Sequence, residues 1–174
     1  MTAPTGAQAT DLVAAPPAAG PAKAYTLNIN PTTGLSTDYL NHFNEAIMVL
    51  EMVTMMPECV PDLQAWRPKT YCEHFASSHF SDRDAVIASY EAADPAVRQA
   101  LDSAAATLNA VLAETRDAVL KNLSLPETAD AFAQRSVAWL KPLVARAAAV
   151  INGTAHGVPD WAGPQAAIDS LFNR

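Results

Sequence analysis

Residues 38–56 read DYLNHFNEAIMVLEMVTMM, and this stretch decides the fold class. Ser36 or Thr37 supplies an N-cap ahead of it, and Asp38 puts a negative charge in the first turn, where the helix dipole favours one. Leu40, Phe43, Ile47, Leu50 and Thr54 recur at helical spacing and form one stripe. Met48, Val49, Met52, Val53 and Met55 then leave almost no polar face in the second half. A helix that is apolar nearly all round belongs at the centre of its domain or in an oligomer interface. Pro57 stops it.

Downstream the same period persists. Asp94-Pro95 opens a long helix to about Leu123, with Asp94 as N-cap and Pro95 at the first helical position, where its missing N–H is not needed. Val97, Leu101, Ala104, Leu108, Val111, Thr115 and Val119 form its seam. Ser124-Leu125-Pro126-Glu127 turns the chain into another long helix, 126–151, with Phe132, Ser136, Trp139, Leu143, Ala147 and Val150 on one face. Pro142 lies inside it and predicts a kink near 138–142. Gly153 is placed as the glycine that ends a helix. Ser81 to Asp84, SDRD, resembles a capping box and opens a helix to about Ala92. Short helical turns are expected at 60–66, 70–79 and 164–172.

The predicted fold is therefore all-α: a helical bundle of about four main helices with short extra ones, spanning 25–174 as a single domain. Tyr25 to Ile29 alternates apolar and polar residues and predicts one extended segment with no partner strand. Residues 1–24 are nearly all Ala, Pro, Gly, Thr and Gln, which predicts a disordered N-terminal tail. No internal repeat is present.

Charge and composition narrow the function. The chain has 174 residues and a formal net charge of −7, with its Lys and Arg scattered. Nucleic-acid binding needs a basic patch to displace counterions, and docking on an anionic membrane needs the same, so neither is expected. No apolar run approaches the roughly 20 residues of a membrane span. The N-terminus lacks the basic and apolar regions of a secretory signal, so a cytoplasmic location is expected. The Asn152 N-G-T sequence then has no glycosylation to receive. No P-loop or G-x-G-x-x-G occurs, which removes nucleotide binding by a glycine-rich loop.

The suggestive cluster is one of metal ligands: His42, Cys59, Cys72, His74 and His79 lie within 38 residues, among several carboxylates. His42 and Glu45 are i,i+3 on one helix and could share an ion. With Glu73 and His74 they form the candidate site for a transition metal, zinc or iron. The spacing C-x12-C-x-H-x4-H fits no common zinc pattern, and an inverted HFNE does not make the paired ExxH of di-iron bundles. Cys72 with His74 or His42 has the chemistry of a nucleophile and base, but no local signature surrounds it. Cys59 and Cys72 form a candidate redox pair. The leading expectation is a non-catalytic interaction or accessory protein without a cofactor. It would bind a protein partner or self-associate, using the apolar first helix, the long Ala-rich helix or the adaptable Met48, Met52, Met55, Met56 cluster.

Overall fold

The structure, a computed structural model, describes residues 28–155 and 163–172. The expected tail at 1–24 and residues 25–27 of the extended segment lie outside the described residues. Among the described residues every regular element is a helix, and there is no β-strand. Its helices are α1 (Asn41–Met52), α2 (Val60–Ala65), α3 (Tyr71–Ala76), α4 (Arg83–Ala92), α5 (Pro95–Lys121), α6 (Pro126–Ile151) and α7 (Pro164–Phe172). Short 3-10 turns at Thr37–Leu40 and Pro57–Cys59 flank α1.

The long pair α5 and α6 forms the main helix interface. A link of only a few residues, 122–125, forces them side by side and antiparallel. The seam is closed by Leu101, Leu108, Val111 and Val119 from α5 and by Ala133, Leu140, Leu143 and Ala147 from α6. Alanines on both helices let the backbones approach. Thr115 lies in this seam and donates its hydroxyl to the Val111 carbonyl at 2.7 Å, so its polar group is satisfied inside its own helix. Phe132 and Trp139, expected on the buried face of α6, stand half-buried at its edge. The face turned inward is centred instead on Ala133, Ser136, Leu140 and Leu143.

Helix α1 packs across α6 and α5, burying Phe43, Ala46, Ile47 and Leu50. Its first turn is 3-10, capped by Ser36, whose Oγ accepts from the Asp38 N–H. One expected feature differs. The SDRD box does not form: Asp82 is the N-cap of α4 without a side-chain bond, and the Ser81 hydroxyl donates to the Asp82 carboxylate instead. Helix α6 runs on through Pro142 as the single helix expected over 126–151. Pro142 is on the exposed side of α6, where water can reach the Ala138 carbonyl that loses its N–H partner.

The start and end of the bundle are stitched together. Ile29 and Ser36 form a lone antiparallel bridge around the turn at Asn30–Gly34. From that turn the Thr33 hydroxyl donates to the Ile151 carbonyl at 2.5 Å, at the last residue of α6. Gly153 follows in the left-handed conformation, φ +69°, and the Thr154 N–H reaches back to the Ala149 carbonyl at 2.9 Å. This is the glycine-terminated helix end expected from the sequence. A Cβ at Gly153 would also meet the Thr33 methyl at 3.4 Å. Gly153→Ala is therefore expected to destabilise the chain by about 1 kcal/mol, from the backbone conformation alone. Thermal unfolding followed by circular dichroism measures it, and an unchanged midpoint would contradict the account.

Candidate functional site

The residues singled out as metal ligands lie where α1 meets α3. The segment 66–70 between α2 and α3 has no regular structure, so its carbonyls need donors from elsewhere. The Lys69 carbonyl accepts from the Tyr39 hydroxyl at 2.8 Å and from Asn109 Nδ2 at 2.9 Å. The Trp66 carbonyl accepts from Arg116 at 3.0 Å, and the Trp66 indole N–H donates to the His42 carbonyl at 3.2 Å. These bonds bind the segment to α5 and lay Trp66 on His42.

His42 is only 5% exposed. Its ring is stacked on Trp66 at 5.2 Å between centroids and parallel to Tyr39 at 6.4 Å. His74 stands 5.9 Å from His42 and edge-on to Tyr39 at 5.7 Å. Burial, with lesser pushes from His74 and Lys69, lowers the His42 pKa to about 4. Burial and then Lys69 also lower His74, while the charges of Glu45 and Asp38 pull it back. Asn109 faces the His42 ring closely enough to favour its protonation slightly, yet His42 Nε2 and Asn109 Oδ1 have no hydrogen-bond partner among the described residues. The aromatic setting explains the burial. A neutral imidazole is a flat, weakly polar ring that stacks as an aromatic does.

Of the four candidate ligands, His42 and His74 come together, with the Glu45 charge acting on His74. Glu73 does not join them. Its carboxylate accepts from the Thr70 N–H at 2.8 Å and the Thr70 hydroxyl at 2.9 Å, while Thr70 Oγ1 accepts from the Glu73 N–H at 3.3 Å. This is a capping box at the start of α3, and those bonds hold the Glu73 carboxyl below the usual range. The sequence signal was the T-x-x-E spacing at Thr70–Glu73, which competes directly with reading Glu73 as a ligand. Among the described residues, no group of three or more His, Cys, Asp or Glu is placed to hold a metal ion.

Both cysteines are free. Burial, then Glu91 and other carboxylates, pushes the Cys72 thiol up, away from the thiolate a nucleophile needs. Tyr90, stacked on Tyr71 at 4.6 Å, donates to the Asp102 carboxylate at 2.8 Å and belongs to the same aromatic core.

An open concave surface lies elsewhere, between the C-terminal half of α1 and the N-terminal half of α6. This open cleft has a volume of about 720 Å³, with Leu50, Val137 and Ala138 in its wall and Met55 at its lip. Met55 is 78% exposed and Met48 51% exposed, and the nearby Met56 and Leu125 are exposed as well. The apolar second half of the first helix is thus central on one side and uncovered on the other. On helical spacing Met48, Met52 and Met55 form one strip, flanked by Glu45 and Glu51. No helix among the described residues is long and apolar enough to cross a membrane. Comparison with family models, curated proteins and solved structures gave no match.

Two expectations follow from this geometry. A histidine whose folded pKa lies below its unfolded value binds protons more readily when unfolded, so stability is full above pH 6.5 and falls as pH drops toward about 4. Thermal midpoints between pH 7.5 and 5 are expected to fall by an amount corresponding to about 1–2 kcal/mol. His42→Phe should flatten that decline, and an identical pH profile in the variant would refute the assignment. Thr70→Ala is expected to remove the α3 cap and cost about 1 kcal/mol, read from denaturant midpoints.

Proposed function

We propose that this chain is a non-catalytic interaction or accessory domain, and that the α1–α6 cleft is where its partner docks. The carrying observation is the position of the methionines. Met55, in the turn after α1, stands at the lip of the cleft, and Met48 lies on α1 beside a second hollow lined by Val49, Leu63 and Trp66; both methionines leave much of their apolar surface outside the core. Methionine side chains are flexible and polarisable and shape themselves to an incoming apolar surface, which suits a docking face. Large apolar residues gathered at one end of a domain, with charged residues around them, mark interaction surfaces more often than chance exposure does. The polar residues with the chemistry of a site point the other way: His42 is turned into the aromatic core and Glu73 is held in a helix cap.

Photo-reactive methionine, incorporated in the producing cells and activated by light, tests the proposal at the residues that carry it. Adducts to a second protein are expected on Met55, and they should vanish in Ala138→Trp, which fills the cleft from the exposed face of α6. Cross-links confined to this chain, or adducts indifferent to the blocked cleft, would overturn it. Stoichiometric zinc or iron in the purified protein, lost in both His42→Ala and His74→Ala, would replace it with a metal-binding reading.

A further inference from the structure

We infer that the occupant of the α1–α6 cleft is a basic amphipathic helix of a partner protein; this rests on the docking reading above. The cleft has an apolar wall and an acidic rim. Leu50, Val137 and Ala138 offer the apolar surface, while Glu51, Glu127 and Asp130 stand around it. The cation in the lining, Lys141, is already paired with Glu51 at 2.5 Å. Asp130 accepts from Thr54 Oγ1 and Gln134, which fixes its carboxylate at the rim, and Glu127 makes no ion pair among the described residues.

Backbone chemistry adds an acceptor. Pro142 has no N–H, so the carbonyl of Ala138, four residues earlier and in the cleft lining, lacks its helical donor. A lysine or arginine side chain is a natural donor for such a group. From Pro126 to Lys141 the trough follows α6 for about 22 Å, the length of a helix of about four turns. An amphipathic helix presents apolar anchors at i, i+3, i+4 and i+7 to such a trough and keeps its charges at the rim.

The charge pattern also separates the possible occupants. Between Asp38 and Trp66 the sequence has Asp38, Glu45, Glu51, Glu58 and Asp62, and no Lys or Arg. A second copy would bring this acidic face against the same acidic face, and like charges in an interface are repelled. Residues 1–27 contain one acid, Asp11, and one base, Lys23, and their Ala/Pro composition has neither the charge nor the apolar period required.

The probe is a labelled synthetic peptide of about 16 residues, long enough to fill the trough, with leucines on one helical face and lysines on the other. Its control has glutamate in place of lysine. Fluorescence anisotropy with the full chain is expected to show binding of the lysine peptide and none of the glutamate peptide. Affinity should fall about tenfold in Glu127→Lys/Asp130→Asn, and by a similar factor as salt is raised from about 50 mM to about 300 mM. The asparagine keeps one acceptor oxygen, enough for either Thr54 or Gln134 but not both, and the salt series on the unaltered chain stands even if that variant folds poorly. Equal binding of both peptides, or equal binding to the folded variant, would overturn the inference. So would a dimer in sedimentation velocity that the double variant dissolves, since the occupant is then a second copy. Failure of the lysine peptide while photo-methionine adducts on Met55 persist sinks this partner class alone; loss of both sinks docking at the cleft as well.

Discussion

One carbonyl oxygen organises the first half of this molecule. Lys69 lies in a stretch with no helix of its own, and its carbonyl receives the Tyr39 hydroxyl from one side and the Asn109 amide from the other. Three parts of the chain far apart in sequence are thereby fixed to one point. Without those donors this part-buried carbonyl would lose its protein partners, at a penalty of about 1–3 kcal/mol at most. The stacking of Trp66 on His42, the approach of His74 and the seating of α3 all depend on the segment being held there.

The molecule turns its chemistry inward and its plasticity outward. Imidazoles are unusual in an aromatic stack, and here the neighbouring rings take from His42 the water that would stabilise its charge. Methionines, which would fill a core easily, are instead at the surface beside a trough. Neither placement minimises free energy for folding alone. A buried histidine with an unsatisfied nitrogen makes the core less stable than a phenylalanine would, and an exposed methionine contributes little to folding at all.

The architecture was legible because its determinants are local. Asp94-Pro95, Gly153 and the seam from Leu101 to Val119 each specify a helix boundary or face by short-range stereochemistry, and each is found in place. The site was less legible because its determinants are not local. Glu73 looks like a ligand beside His74 until Thr70, three residues back, takes its carboxylate. SDRD has the letters of a capping box, but Ser81 satisfies itself on its neighbour. The strip of α1 left uncovered could not be separated from the buried one, because both are apolar. Only the arrangement of α6 decides which side is closed. The partnership of Asn109 with Lys69 spans 40 residues and leaves no trace in spacing.

The bond from Thr33 to Ile151 fixes the end of the bundle at which the described chain begins. It brings the chain in beside the far end of α6, whereas Met55, Leu125 and Pro126 gather at the near end. Those ends are about 38 Å apart along the helix axis. The Asn30–Gly34 turn is thus fixed at the Ile151 end of α6, while the cleft opens at the Pro126 end and its last lining residue, Lys141, stops about 15 Å short of Ile151. Between them α6 runs as one continuous helix, so the turn and the cleft keep a fixed separation.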